Sequence, residues 1–212
     1  MKNDARQLFL PREIHALARE NHANLDLRLF ASKVISLEMN IPASPDTVGR
    51  VASLHLHPEE PGAMMQTAQQ IEVIEAKGIL NEPRYFGRKS RGSSEPSKRQ
   101  ITLMEREQIA EHAATLGLES IPAGAVRSNI ETTGIHLVSL IGKEVQIGEA
   151  VLLLYGARDP CEKMDAICQG LRELMMNNRQ GVLAQVIRSG KIQVEDRISV
   201  RATSEMETDA TA

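Results

Sequence analysis

Residues 141–161 read IGKEVQIGEAVLLLYGARDPC. Gly142 and Gly148 punctuate this stretch, and Gly134 precedes it. The pieces between the glycines are rich in Val, Ile and Leu and have the length of strands. VRSNIETTG, HLVSLIGKEVQIG and AVLLLYGA therefore follow one another as β-rich segments. The connections are too short to hold crossover helices. A bent, antiparallel, barrel-like sheet is expected, and not a series of βαβ units.

Working outward, VGRVASLHLHP from Val48 reads as a strand, and QIEVIEAKGI as a second one ending at its glycine. GRKSRGSSEPSK, Gly87 to Lys98, has the composition of an exposed, mobile loop. QITLM is a short strand, and EREQIAEHAATLG a helix that stops near Gly117. VLAQVIRSGKIQVEDRISV is expected to close the domain as a hairpin turning at Ser189-Gly190. Residues 12–39 read as helix, with Leu25, Leu29 and Leu37 on one face beside Phe30 and Val34. The organisation expected is a helical N-terminal extension over 1–45, a mainly β domain over 46–202 with flanking α-helices, and a disordered tail over 203–212. The extension lacks the area for a core of its own, so it packs on the domain or on a second copy, which makes a homo-oligomer an expectation.

The composition excludes several classes. The chain has 212 residues with 42% hydrophobic and 25% charged, ordinary for a globular protein large enough for a real core. Aromatics are 2% and Trp is absent, which removes the usual base-stacking platform. A net charge of -3 speaks against general binding to a phosphate backbone, so no nucleic-acid partner is expected. No apolar run approaches membrane-spanning length, and no signal-peptide core follows Met1. Two cysteines make no disulfide framework, and a cytoplasmic setting with free thiols is expected.

One of those thiols, Cys161, stands behind Arg158-Asp159-Pro160. Asp159 suits an N-cap and Pro160 the first helical position, so CEKMDAICQGLRELMMNN is expected to be an amphipathic helix with Cys161 in its first turn. A helix N-terminus and a neighbouring arginine both favour a thiolate, the form that serves as nucleophile or soft-metal ligand. The other reading is a buried cysteine used as a small hydrophobe. Cys168 falls on the apolar stripe with Met164, Ile167, Leu171, Leu174 and Met175 and is expected in the core. His55 and His57 alternate on one strand, but an H-x-H pair needs further ligands to hold a metal, and no such motif accompanies it.

Four pieces, in order, carry a resemblance. They are the KGI…RYFGR segment (Lys77 to Arg88), the R-x-N-I…TG segment (Arg127 to Gly134), IGKEVQIGEAVLLL (Ile141 to Leu154) and ARDPC (Ala157 to Cys161). Together they resemble the MOSC domain, the C-terminal domain type of molybdenum cofactor sulfurases, over roughly residues 48–200. The resemblance implies a β-barrel fold and a site for molybdopterin-type molybdenum cofactor, with Cys161 as molybdenum ligand or sulfur carrier. Stand-alone members reduce N-hydroxylated compounds with electrons from a separate redox partner. In the sulfurases the domain accompanies a pyridoxal-phosphate desulfurase, which a chain of 212 residues is expected to be too short to contain. The resemblance also implies cofactor contacts from Arg84, Arg127 and Arg158, whose guanidiniums suit an anionic pterin phosphate. Asn129, two residues from Arg127 on an expected strand, should face the same side. Tyr85 either packs beside the pterin or is an ordinary barrel tyrosine.

Two departures from the family pattern stand out. Asn81-Glu82-Pro83 replaces a Gly-Asp before Arg84, and Glu195-Asp196 replaces a second Gly-Asp. Two functions follow. One is a small reductase of N-hydroxylated or N-oxygenated small-molecule substrates. The other is a non-catalytic carrier of persulfide sulfur or of the cofactor.

Overall fold

A computed structural model describes residues 47–201. The helix expected within the 1–45 extension and the tail at 203–212 lie outside the described residues. The strands are β1 (Thr47–Leu56), β2 (Gln66–Ala68), β3 (Gln70–Ile74), β4 (Gly78–Ile79), β5 (Ile101–Glu105) and β6 (Ile130–Thr133). They continue as β7 (Glu144–Ile147), β8 (Ala150–Ala157), β9 (Val182–Arg188), β10 (Gly190–Gln193) and β11 (Arg197–Val200). Two helices are described, α1 (Arg106–Thr115) and the single turn α2 (Leu171–Leu174). Neither is long and apolar enough to cross a membrane.

The main sheet runs β11-β7-β8-β9-β5-β6-β1, and pairing of β11 with β1 closes it into a seven-stranded barrel. β2 hangs on the free end of β1. One pair within the barrel, β5 with β6, is parallel. Register shifts in β1 between Val51 and Ser53, and in β8 between Leu154 and Gly156, supply the local bends that a small barrel needs. Alternation works as expected: Val182, Ala184 and Val186 of β9 and Val145 and Ile147 of β7 point inward. They meet Val51, Leu54, Leu103, Ile130, Leu152 and Leu154 in one continuous core. A second core joins Ile109 and Ala113 of α1 to Met104, Ile121, Val126, Met164, Leu171 and Met175.

Several expectations need correction. β9 and β10 do not form a hairpin with each other. Both edges of β9 are taken, by β5 and β8, so β10 leaves the barrel and pairs with β3. QIEVIEAKGI is two strands, β3 and β4, split by a turn at Ala76 with φ +58°. HLVSL contains a 3-10 turn at Leu137–Leu140 where a strand was expected. The Gly87 to Lys98 segment is exposed as expected. It is also held by its own bonds, Ser90 N–H to Glu95 O at 2.8 Å and Ser97 N–H to Arg88 O at 2.8 Å.

The largest correction concerns the helix expected to begin at Cys161. Residues 162–164 form only a 3-10 turn, and Cys161 itself is extended with φ -111° and ψ 167°. The carboxylate of Asp165 accepts the N–H of Gly170 at 3.1 Å and of Arg172 at 3.0 Å. Gly170 takes φ +90°, open to glycine at little strain, and the helix breaks there. The apolar pattern was partly real, since Met164, Leu171 and Met175 are buried. Ile167 is exposed, and Cys168 and Leu174 are half-buried.

Candidate functional site

The segments that carry Arg84, Arg127, and Arg158 with Cys161 come from three places in the chain, and the fold brings them together. Arg158 follows the last residue of β8, and its N–H donates to Gly181 O at 3.0 Å at the entry to β9. Its side chain is buried; Nη2 donates to Val126 O at 3.3 Å, while Nη1 is buried with no partner among the described residues. Burial, first, and the nearby Arg99 guanidinium push its pKa from the ordinary arginine value down to about 10. Arg127 sits in a turn with φ +60°. Its Nη1 donates to Ala63 O at 3.0 Å, and its Nε is buried without a partner among the described residues. Burial and then the Arg84 charge hold its pKa below the ordinary arginine value.

Tyr85 is the shared surface of this group. The guanidinium carbons of Arg84 and Arg99 each lie 5.3 Å from its ring centroid, within cation–π range. His57 meets the same ring edge-on at 5.3 Å. Tyr155 stands close enough to feel both Arg99 and Tyr85, and burial raises its phenol pKa. Cys161 is exposed, and its charge when ionised acts on both Arg127 and Arg158. Among the described residues, the salt bridges are His57–Glu82, Arg106–Glu131, Arg179–Glu111 and Arg201–Glu144. None of them involves Arg84, Arg99, Arg127 or Arg158. Four guanidiniums without a paired carboxylate among the described residues, two of them (Arg127 and Arg158) with buried unpartnered nitrogens, make a site suited to an anion.

Glu82 is the acid at the inner edge of the cluster, and it is already committed. Oε2 accepts the N–H groups of Arg84 at 3.1 Å and Tyr85 at 2.7 Å. Oε1 accepts the His57 N–H at 3.2 Å and lies 2.5 Å from His57 Nδ1. Burial works to raise the Glu82 pKa, but the His57 contact and these backbone donors together leave it below the ordinary value. The Asn81-Glu82-Pro83 departure therefore shapes the turn that carries Arg84 and Tyr85, with Asn81 at φ +60° supplying the bend.

Two expected partners are not brought here. Asn129 is fully buried, and its Oδ1 accepts from Thr102 N–H at 3.1 Å and Thr102 Oγ1 at 2.9 Å. Its Nδ2 donates to His55 O at 3.2 Å, so the amide ties β1 to β5 inside the wall. The alternation that placed it beside Arg127 does not hold, because Arg127 is in a left-handed turn and not in a strand. His55 is likewise separate from His57. It bonds Ser53 Oγ at 2.9 Å, and Ser53 donates to the buried Glu131, which also accepts from Arg106 Nη1 at 3.0 Å. No three His, Cys, Asp or Glu groups converge among the described residues in a way that would hold a metal ion. Arg99, Glu82, His57 and Tyr155 were missed as site residues. Arg99 lies outside every motif, past the exposed Gly87 to Lys98 segment, and gives no local signal.

A family model describing the MOSC domain matches residues 55–199, well over half of the chain. The chain belongs to the MOSC domain family. That family is associated with binding of molybdenum cofactor. The barrel of this MOSC protein is similar to the crystal structure of YuaD from Bacillus subtilis, with 20% identity, 72% of this chain and 94% of that chain covered, and a TM-score of 0.61. It is also similar to YiiM from Escherichia coli, with 18% identity, coverage of 74% and 70%, and a TM-score of 0.52. At these identities the likeness concerns the fold. No functionally curated protein matches the chain.

The two thiols of this MOSC protein differ in access. Cys161 is exposed and stands among guanidiniums; Cys168 is half-buried, with its thiol 3.8 Å from Gln169 O. Cys161→Ser is expected to remove the fast phase of iodoacetamide labelling, measured by mass spectrometry near neutral pH. Cys168→Ser should leave that phase in place. Because Cys168 lies outside the core, its substitution should change stability by only about 0.5 kcal/mol. A faster Cys168 would contradict the assignment.

Proposed function

We propose that this chain binds molybdopterin-type molybdenum cofactor in the arginine cluster and acts as a small reductase of N-hydroxylated or N-oxygenated compounds. The observation that carries the reading is the set of four guanidiniums without carboxylates, with buried orphan donors on Arg127 and Arg158, beside the exposed Cys161. An anionic, phosphate-bearing pterin supplies the acceptors these donors lack. Arg84 and Arg127 hold the phosphate end, Arg158 neutralises the buried side, and Tyr85 with Arg99 forms a flat wall for a ring system. Cys161 offers a soft thiolate to molybdenum. When bound, the cofactor supplies two-electron redox chemistry, with electrons from a separate redox protein. The exposure of Cys161 also favours a second reading, in which it carries persulfide sulfur to a partner.

The test is molybdenum analysis and fluorescence of the oxidised pterin, on protein made in a cofactor-producing host. Cys161→Ser should lower molybdenum content about tenfold or more while the thermal midpoint stays unchanged, since losses of this size already follow from changes one shell further out. Protein lacking both molybdenum and pterin, yet accumulating sulfane sulfur on Cys161, would replace the reductase reading with the carrier reading.

A further inference from the structure

Beside the arginine cluster lies a cavity of about 390 Å³, lined by His57, Glu59, Glu60, Ala63, Met64 and Asn81 among others. It adjoins the cluster, because Arg127 Nη1 donates to the carbonyl of Ala63 in its wall. His57 is only 4% exposed and is one of the residues that line this cavity. Nδ1 is taken by Glu82, and among the described residues Nε2 has no partner and is not sealed from solvent.

Glu82 decides what Nε2 offers. Three backbone N–H groups donate to its two oxygens, which favours the ionised, acceptor-only carboxylate. The proton in the short contact between Oε1 and Nδ1 then sits on Nδ1. A neutral imidazole in that tautomer carries a lone pair on Nε2. Burial chiefly, with help from Arg84 and Arg127, lowers the His57 pKa against the opposing pull of Glu82, so the ring is neutral near neutral pH. Glu59 and Glu60 line the same cavity and oppose the pull that Arg84 and Arg127 exert on an anion.

We propose that this cavity is a specificity site for a small neutral or cationic ligand carrying an N–H or O–H donor, with His57 Nε2 as the acceptor and Glu82 setting the tautomer. The inference deepens the reading above by naming the hydrogen-bonding character of the substrate at the same site. Its test uses cofactor-free protein, so it and the cofactor reading fail separately. Phenylguanidine, a donor-only cation, and benzoate, an acceptor-only anion of similar size, are titrated while the ring-nitrogen NMR resonances of His57 are followed. Phenylguanidine should move the Nε2 resonance saturably, and benzoate should not. His57→Phe should weaken phenylguanidine binding about tenfold, the equivalent of one charge-assisted hydrogen bond. If that variant does not fold, the titration of the unaltered protein decides alone. An Nε2 resonance unmoved by phenylguanidine, equal binding of benzoate at this ring, or a starting tautomer with the proton on Nε2 would each overturn the proposal.

Discussion

Gly181→Ala should prevent the barrel from closing and remove the site with it. Gly181 has φ +75°, a region that alanine enters only with strain. The added methyl group would fall inside the van der Waals shell of the Leu103 carbonyl oxygen and 2.9 Å from Met104 Cα. Both atoms are backbone of β5, which pairs with β9 and β6, so neither can retreat without opening the sheet. Left-handed strain alone is about 1 kcal/mol, and a backbone clash in a core sheet puts the total above about 4 kcal/mol. For a domain of this size each kcal/mol moves the thermal midpoint by about 2–4 °C, so a fall of more than about 10 °C is expected. Gly181 O also accepts the Arg158 N–H, so any variant that survives should bind the cofactor poorly. An unchanged midpoint by circular dichroism would show that β5 and β9 are not packed as described.

Arg158→Met should have opposite effects on stability and on cofactor retention. The buried guanidinium has a folded pKa of about 10, well below the ordinary arginine value. For a base with a depressed pKa, the folded state disfavours the protonated form. The penalty is fully present below about pH 10 and disappears as the pH rises toward 12.5. It amounts to about 3 kcal/mol at neutral pH, from about 1.4 kcal/mol per pKa unit. Methionine fills similar space without a charge. After loss of the bond to Val126 O, a net gain of about 1–3 kcal/mol is expected in cofactor-free protein. The same substitution should reduce molybdenum and pterin content in cofactor-replete preparations. Thermal melts near pH 7 and metal analysis read the two arms separately. A lower midpoint for the cofactor-free variant would mean that the guanidinium has a partner after all.

Both substitutions act where distant segments meet, and there local sequence signals were weakest. The alternating residues of β7 and β9 and the helix α1 were legible because their patterns are local. Val182, Ala184 and Val186 point inward for the same reason that any half-buried strand alternates. The ordered motifs selected Arg84, Arg127, Arg158 and Cys161, and the fold brings these four together.

Local patterns misled where a competing bond was stronger. The stripe through Met164, Leu171 and Met175 is buried as a helix would bury it. Even so, Asp165 captures the N–H groups of Gly170 and Arg172 and ends the helix, leaving Cys161 extended and exposed. Asn129 was placed by strand alternation, which fails two residues away at the left-handed Arg127. The hairpin at Ser189-Gly190 reads well locally, but β9 has no free edge to offer it.

The sequence alone determined the β-rich character, α1, the family motifs and the identity of the exposed-loop segment, since all of these depend on neighbours in the chain. Tertiary structure alone decided that Glu82 takes His57 from across 25 residues, that Arg99 completes the cluster over Tyr85, and that Asn129 belongs to the wall. The physical reason is that a buried charge or amide takes whichever partner the fold brings within hydrogen-bond reach, and sequence spacing does not encode that distance.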